Sequence, residues 1–265
     1  MTKLVILGAA GRMGEALIRC AQREPKTRVV AAIEKSGHPE IGQPVAIAPE
    51  LTLSDDWAGA ARADVVIDFT FHTAVAGNLS HAVKAGLAVV LGTTGLSDAE
   101  RDAVDAAAKR VPVVWAPNMS LGVNVLMDLL TRAAETLGDA YDIEIVEMQH
   151  RHKQDAPSGT ALALAQSVAR GRPDPRELSQ RLQHGREGFT GERDAGEIGM
   201  HALRGGDVVG DHTVIFAAEG ERIELSHKAS SRDAFAMGAI QAAMWISGKT
   251  PGLYTMRNVL GLDPV

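Results

Sequence analysis

An α/β chain in two parts, a parallel sheet covered on both faces plus a smaller α+β domain, is what this sequence predicts, and three observations carry the prediction. Apolar runs such as "ADVVIDFT" and "LAVVLGTTG" are continuous rather than alternating, as strands buried on both faces require, and segments of helical period lie between them. The later stretch "EIGMHALRGGDVVGDHTVIFAAEGERIELSHKA" is strand-like and is broken at Gly205-Gly206 and Glu219-Gly220, which predicts antiparallel runs. Finally, 265 residues with 45% apolar content lie near the size at which one core divides into two.

The chain opens with an apolar strand, Leu4 to Leu7, turns through glycines, and continues with helical spacing through Met13, Leu17 and Ala21. Gly8, Gly11 and Gly14 form G-x-x-G-x-x-G. Such glycines permit a tight turn, let the backbone approach a pyrophosphate, and allow close helix packing, while the helix N-terminus offers N–H groups to the anion. The next run, "RVVAAIEK", ends in Glu34, twenty residues after Gly14, where an acid that accepts from a ribose hydroxyl of NAD is expected. Lys35 beside it, together with Arg12, suits the 2′-phosphate of NADP, so either nucleotide is expected. The alternative is an exposed acid and base that simply follow a strand.

"ADVVIDFT", "LAVVLGTTG" and "VPVVWAPN" supply further strands, separated by helical segments over Val75 to Ala85 and Ala99 to Lys109. Their ends are Phe69-Thr70, Gly92-Thr93-Thr94 and Ala116-Pro117-Asn118-Met119, at the carboxyl edge where open sheets place ligands. Asn118 is expected to cap a linking helix with the stripe Leu121, Val125, Leu129, Ala133 and Leu137, ending at Gly138. "YDIEIVEMQ" then reads as a strand with Ile143 and Ile145 on one face. Ser158 is expected to cap "GTALALAQSVAR", which Gly171 and Pro173 stop.

Charge narrows the function. The net charge is −6, from 27 Lys and Arg against 33 Asp and Glu, with no long block of one sign, so neither nucleic acid nor a membrane surface is an expected partner. Small-molecule chemistry is favoured. Cys20, the single cysteine, lies in an apolar-periodic segment and reads as a buried structural thiol, which fits a reducing cytoplasm. No secretory leader and no apolar run of about 18 residues is recognisable.

The densest chemistry lies in "VEMQHRHKQDAPSGTA", Val146 to Ala161. A strand delivers cationic groups beside a helix N-terminus, an arrangement suited to an anion. Lys153 can pair with a carboxylate or donate a proton; His150 and His152 can donate hydrogen bonds or titrate. A solvated basic turn before a capped helix is the plainer reading, and metal binding is not expected, for want of a further ligand cluster.

This stretch resembles the signature E-x-H-x-x-x-K-x-D-x-P-S-G-T-A of the 4-hydroxy-tetrahydrodipicolinate reductase (dihydrodipicolinate reductase) family. Glu147, Lys153, Asp155, Pro157, Ser158, Gly159, Thr160 and Ala161 match it. The resemblance continues through "GAAGRMG", "IEK", "IDFT", "GTTG", "APNMSLGVNV", "GREGFTGER", "VVGDHTVIFAAEGERIELSHKASSR" and "MWISGK". It implies a Rossmann-like dinucleotide-binding domain over residues 1–120 and 230–265, and a smaller α+β domain over residues 121–229 that binds substrate and assembles a homotetramer. It also implies that Gly8, Ala9, Ala10, Gly11, Arg12 and Met13 hold the pyrophosphate of NADH or NADPH, and Glu34 and Lys35 its adenosine ribose. Gly92, Thr93, Thr94, Ala116, Pro117, Asn118 and Met119 would line the nicotinamide end, and His150, Lys153, Gly159 and Thr160 would contact a dicarboxylate substrate.

One position departs. The family carries a histidine assigned to proton transfer four residues before the lysine, and this chain carries Gln149. An amide donates and accepts hydrogen bonds but does not titrate near neutral pH. If the segment stays extended, Gln149, Arg151 and Lys153 share one face and His150 and His152 the other, so Lys153 is expected to donate the proton while Gln149 positions the ring. Arg186, Arg193 and His201 read as exposed loop and strand polarity. The implied activity is reduction of a cyclic dicarboxylated imine in the diaminopimelate route to lysine. Gln149 keeps open a nucleotide-binding sensor without turnover, and the architecture a related amino-acid dehydrogenase. Closure on substrate is expected about Pro117-Asn118 and near Ser230.

Overall fold

The computed structural model describes residues 1–262, so the last three residues of the expected 230–265 segment lie outside the described residues. Two compact units form: Met1–Leu121 with the segment returning from Arg232, and Gly122–Ser231.

In the first unit, β1 (Thr2–Leu7), α1 (Arg12–Arg23), β2 (Thr27–Ile33), β3 (Pro44–Val45), β4 (Ala48–Ser54), β5 (Val65–Asp68), α2 (Val75–Ala85), β6 (Ala88–Leu91), α3 (Asp98–Ala108) and β7 (Pro112–Trp115) follow in order. The sheet runs β13-β7-β6-β5-β1-β2-β4-β3, where β13 is Gly252–Tyr254; every pairing is parallel except that of β3 with β4. Strand order therefore reverses at β1, with β2 on one side and β5 on the other, and the carboxyl ends diverge there.

Both faces are apolar because both are covered. Along β1, Leu4 and Ile6 enter a core with Leu17 and Ile18 of α1 and Ile240 of the returning segment, whereas Val5 and Leu7 enter a second with Leu79 of α2 and Val104 of α3. Each such side chain, fully removed from water, contributes about 1.5–3 kcal/mol. Cys20 is buried in the first of these cores, as an apolar-periodic segment requires. Ser97 caps α3 with its hydroxyl and Glu100 returns the bond, a capping box that fixes where the helix begins.

The second unit contains α4 (Leu121–Leu137), β8 (Asp142–Gln149), α5 (Gly159–Gly171), α6 (Leu178–Arg181), β9 (Leu182–His184), β10 (Ile198–Arg204), β11 (Gly210–Ala218) and β12 (Glu221–Ala229). Its sheet order is β12-β11-β8-β10-β9. The run expected to be wholly antiparallel divides. β11 and β12 do pair antiparallel across Glu219-Gly220, but β10 and β11 are no hairpin: β8 inserts between them, antiparallel to β11 and parallel to β10. The chain then returns as α7 (Asp233–Ile246), β13 and α8 (Met256–Leu260) to the first unit, where Arg19 pairs with Asp233 at 2.6 Å.

Two further expectations are corrected. Asn118 lies two residues before the N-cap position of α4, which begins at Leu121, and accepts from the Ser120 N–H at 2.9 Å in the turn before the helix. The stripe spaced by four residues is not the buried one, since Val125 and Leu129 are exposed, while Leu126, Leu130 and Ala134 enter the core with Ile143, Ile145, Leu164 and Phe216.

Candidate active site

The first unit builds a cradle out of backbone. Gly8 closes β1 in the left-handed region (φ 65°), which favours glycine, and α1 starts one residue after Gly11. A Cβ at Gly14 would stand 2.3 Å from the Gly8 carbonyl oxygen, so only glycine lets the helix lie so close to the turn. At the end of β2, Glu34 accepts from the N–H groups of Lys35 (3.0 Å) and of Ala10 (3.3 Å), the second of which ties its carboxylate to the glycine loop. Asp68, buried at the end of β5, accepts from the Thr70 N–H and hydroxyl at 2.8 and 2.7 Å and from the Asn78 amide at 2.9 Å. Thr93 donates to the Thr70 carbonyl, and Gly92 leaves room for the Phe69 ring, whose Cε1 would lie 2.3 Å from a Cβ there.

These loops open a cleft of about 810 Å³ within this unit, lined by Gly8, Gly11, Glu34, Lys35, Thr70 and Asn78 among others. A dinucleotide fits the observed features. The Cβ-free turn leaves backbone accessible to a pyrophosphate, and the tethered acid stands where a ribose hydroxyl needs an acceptor. Of the expected residues, Ala9, Ala116 and Met119 are in the core, so any contact from them is through backbone, and Met13 is partly buried against it. Arg12, Thr94 and Pro117 are exposed, and Gly92 and Thr93 are buried. Trp57 and His81, stacked at 4.9 Å along this cleft, gave no signal in the sequence because only the fold brings them together.

The second unit builds its site from side chains. β8 ends at Gln149, and the chain turns rather than staying extended, with the Lys153 N–H donating to the His150 carbonyl at 3.1 Å. The expected alternation of faces from residue 149 to 153 therefore stops at Gln149. Lys153 pairs with Asp155 at 2.8 Å, and this bond holds the Asp155 carboxyl below its usual range. The ring centroids of His150 and His152 are 6.3 Å apart, and Nδ1 of His150 is buried without a hydrogen-bond partner among the described residues. Ser158 caps α5, accepting from the Ala161 N–H at 3.2 Å, and thereby sets Gly159 and Thr160 in its first turn.

Beneath this loop lies a buried network. Glu147, fully buried, accepts from both terminal nitrogens of Arg204, at 2.8 and 3.0 Å, and from the Ser158 N–H at 3.1 Å. Nε2 of His212 is 3.3 Å from the Ser158 hydroxyl, and burial above all pushes His212 down to about 4. Gln149 is close by: a Cβ on Gly210 would lie 3.4 Å from His212 Cε1 and 3.9 Å from Gln149 Cδ. Arg204 and His212 escaped the sequence reading although Glu147 was in plain view, because their contacts span 57 and 54 residues.

Arg186, Arg193 and His201 are not merely exposed polarity. All three converge on Glu144, at 2.9, 3.1 and 2.6 Å, while Arg186 also bonds Glu197. Burial opposes ionisation of Glu144, but these partners outweigh it and hold it at about 2. Among the described residues no cluster of histidine, cysteine or acids is arranged to hold a metal, and no helix is long and apolar enough to cross a membrane.

Comparison with known proteins agrees with this division. Residues 2–119 match the family described as "Dihydrodipicolinate reductase, N-terminus", and residues 122–260 the one described as "Dihydrodipicolinate reductase, C-terminus". The 4-hydroxy-tetrahydrodipicolinate reductase of Thiobacillus denitrificans is 51% identical over 98% of both chains. That of Anaeromyxobacter dehalogenans is 47% identical over 99% of this chain and 98% of its own. A dipicolinate-bound dihydrodipicolinate reductase from a Paenisporosarcina species superposes with TM-score 0.75 at 25% identity, covering 96% of this chain and 97% of that one. An amine dehydrogenase from Mycobacterium smegmatis is alike in fold alone, at 11% identity and TM-score 0.57 over 96% of this chain and 95% of its own. With both halves matched and half of its residues shared with such relatives along nearly all its length, the chain belongs to the dihydrodipicolinate reductase family.

Proposed function

We propose that this chain reduces 4-hydroxy-tetrahydrodipicolinate to tetrahydrodipicolinate in the diaminopimelate route to lysine, using NADH or NADPH. The observation that carries the reading is the loop from Lys153 to Thr160, which brings an ammonium held by Asp155 and a capped helix N-terminus held by the buried Glu147 into one short segment. It suits a rigid, doubly anionic ring, and the names of the full-length relatives support the same substrate.

The nucleotide supplies hydride; the reaction consumes one further proton and releases one water, and the rest is work for the chain's own side chains. The first turn of α5, with Gly159 and Thr160, binds one carboxylate, and His150 donates to the same ligand. Lys153 exchanges its bond to Asp155 for one to the substrate and delivers the proton. Gln149, held near Gly210 and His212, orients the ring through its amide but donates no proton to it. In the first unit, the backbone from Gly8 to Met13 takes the pyrophosphate, Glu34 and Lys35 the adenosine ribose, and residues 92–94 and 116–119 the nicotinamide end. On this reading residues 1–120 and 230–265 serve the dinucleotide and residues 121–229 the substrate. The exposed Leu203 and Ile223 of the second sheet support its use in assembling a homotetramer, and a biosynthetic role fits the cytoplasm.

The test is to supply enzymatically generated 4-hydroxy-tetrahydrodipicolinate with NADPH and then NADH and follow cofactor oxidation. Turnover is expected with both. Gln149→His should be faster by up to the ~10²–10⁴-fold that a general acid contributes. Silence of both proteins, with nucleotide still bound, would replace this reading by the sensor.

A further inference from the structure

We infer that Arg204 is the positioning residue of the substrate loop, one guanidinium that sets Lys153 and the first turn of α5 together. Only the identity of the ligand rests on the function proposed above; the fastening itself rests on geometry.

Arg204 closes β10, where its backbone pairs in register with Gln149 of β8. From there its Nη2 donates to Glu147 at 2.8 Å and to the Asp155 carbonyl at 2.7 Å, and its Nη1 donates to the other oxygen of Glu147 at 3.0 Å. The two targets, Glu147 and Asp155, secure different parts of the loop. The Asp155 contact fixes the backbone of the residue whose side chain holds Lys153 at 2.8 Å. The Glu147 contact aims the carboxylate that accepts from the Ser158 N–H, and Ser158 caps α5. Glu147 is fully buried, so without the guanidinium its charge would have no cationic partner there, and the loop would lose both fixed points at once.

Lysine cannot imitate this. A planar fork offers several donors in fixed directions, whereas an ammonium is a point charge on a flexible stem and cannot reach two carboxylate oxygens and a carbonyl in the same geometry. Positioning predicts a selective defect on the substrate side, since every atom involved belongs to the second unit. A role confined to packing predicts lower thermal stability with unchanged ligand affinity in the protein that remains folded.

The experiment uses the full chain and its Arg204→Lys variant. Dipicolinate binding is measured by calorimetry, NADH binding by fluorescence, KM and kcat with both substrates, and hydrogen exchange over residues 153–161. The variant is expected to bind dipicolinate roughly tenfold more weakly, the scale of one lost charge-assisted hydrogen bond. KM for the imine should rise in parallel, NADH affinity should be unchanged, and exchange over the loop should be faster. Dipicolinate affinity and loop exchange within about twofold of the parent, accompanied only by a lower Tm, would overturn the inference. Should Arg204→Lys fail to fold, Glu147→Gln carries the same readouts, because it keeps the shape and one carbonyl acceptor while removing the charge. A parent that binds dipicolinate but does not reduce the imine would sink the proposed function and leave this inference standing. A parent that does not bind dipicolinate would overturn this inference.

Discussion

The two halves of the chemistry are built from different materials. The proposed nucleotide cleft is made of backbone: a left-handed Gly8, a Gly14 with no room for a Cβ, and an acid tied to the glycine loop by the Ala10 N–H. The proposed substrate loop is made of side chains, with Glu147, Arg204, Ser158 and His212 meeting from three strands and a cap. A backbone site tolerates any neighbour that leaves the main chain in place, but an added methyl group damages it. A side-chain site survives changes of packing around it, but losing one charge undoes several contacts.

The comparison breaks most sharply at Lys153. Lys153→Ala removes the proposed proton donor and a carboxylate partner together, so kcat/KM for the imine is expected to fall by ~10²–10⁴-fold, the usual span for a general acid. NADH affinity is expected to stay, which fluorescence titration checks. A near-normal kcat/KM would show that the proton comes from elsewhere.

Gly14→Ala tests the other half. The added Cβ would meet the Gly8 carbonyl oxygen at 2.3 Å and the Ala9 Cα at 2.6 Å, and backbone cannot swing aside as a flexible side chain can. Overpacking of this kind costs about 1–3 kcal/mol, and here the upper end is expected because the strain falls in the turn itself. Nucleotide binding should weaken while calorimetric dipicolinate affinity holds. Equal loss of both ligands would mean that the two sites do not separate as their materials suggest.

The same contrast decides what was legible in the sequence. Gly8, Gly11, Gly14 and Glu34 declared the cradle because a backbone site leaves a short, local spacing. Ser158 was legible as a cap for the same reason. Arg204 was not, since its partner Glu147 is 57 residues away and the register that unites them requires β8 to insert between β10 and β11. The misread stripe of α4 has a geometric cause: residues four apart drift by about 40° per step around a helix with 3.6 residues per turn, so Leu121 to Leu137 cannot share one face. The buried set takes one step of three and then two of four through Val123, Leu126, Leu130 and Ala134. His150 and Lys153 were placed on opposite faces by assuming an extended chain, and the turn from the His150 carbonyl to the Lys153 N–H removed that premise.

The finest test of the side-chain site is pH. His212 is almost completely buried beside the Ser158 hydroxyl, and burial, partly offset by Glu147, pushes it down to about 4 from an ordinary 6.5. Between those values the unfolded chain binds a proton that the folded chain refuses. Stability is therefore full above about pH 6.5 and lost as pH falls toward 4, by an amount on the order of 3 kcal/mol. Glu144, held at about 2 by Arg186, His201 and Arg193 against the effect of burial, adds acid lability only below its ordinary 4.5, so the two groups act in different windows. Thermal unfolding of the parent and of His212→Asn between pH 7.5 and 4.5 separates them: the variant should lose the His212 share of the slope between pH 6.5 and 4.5 and keep that of His227, its cross-strand partner, which burial also lowers, though its Tm at neutral pH drops. A parent Tm that stays flat across that interval would mean that His212 is protonated in the fold, and that the loop above it rests on a charged network of three groups rather than an ion pair beside a neutral ring.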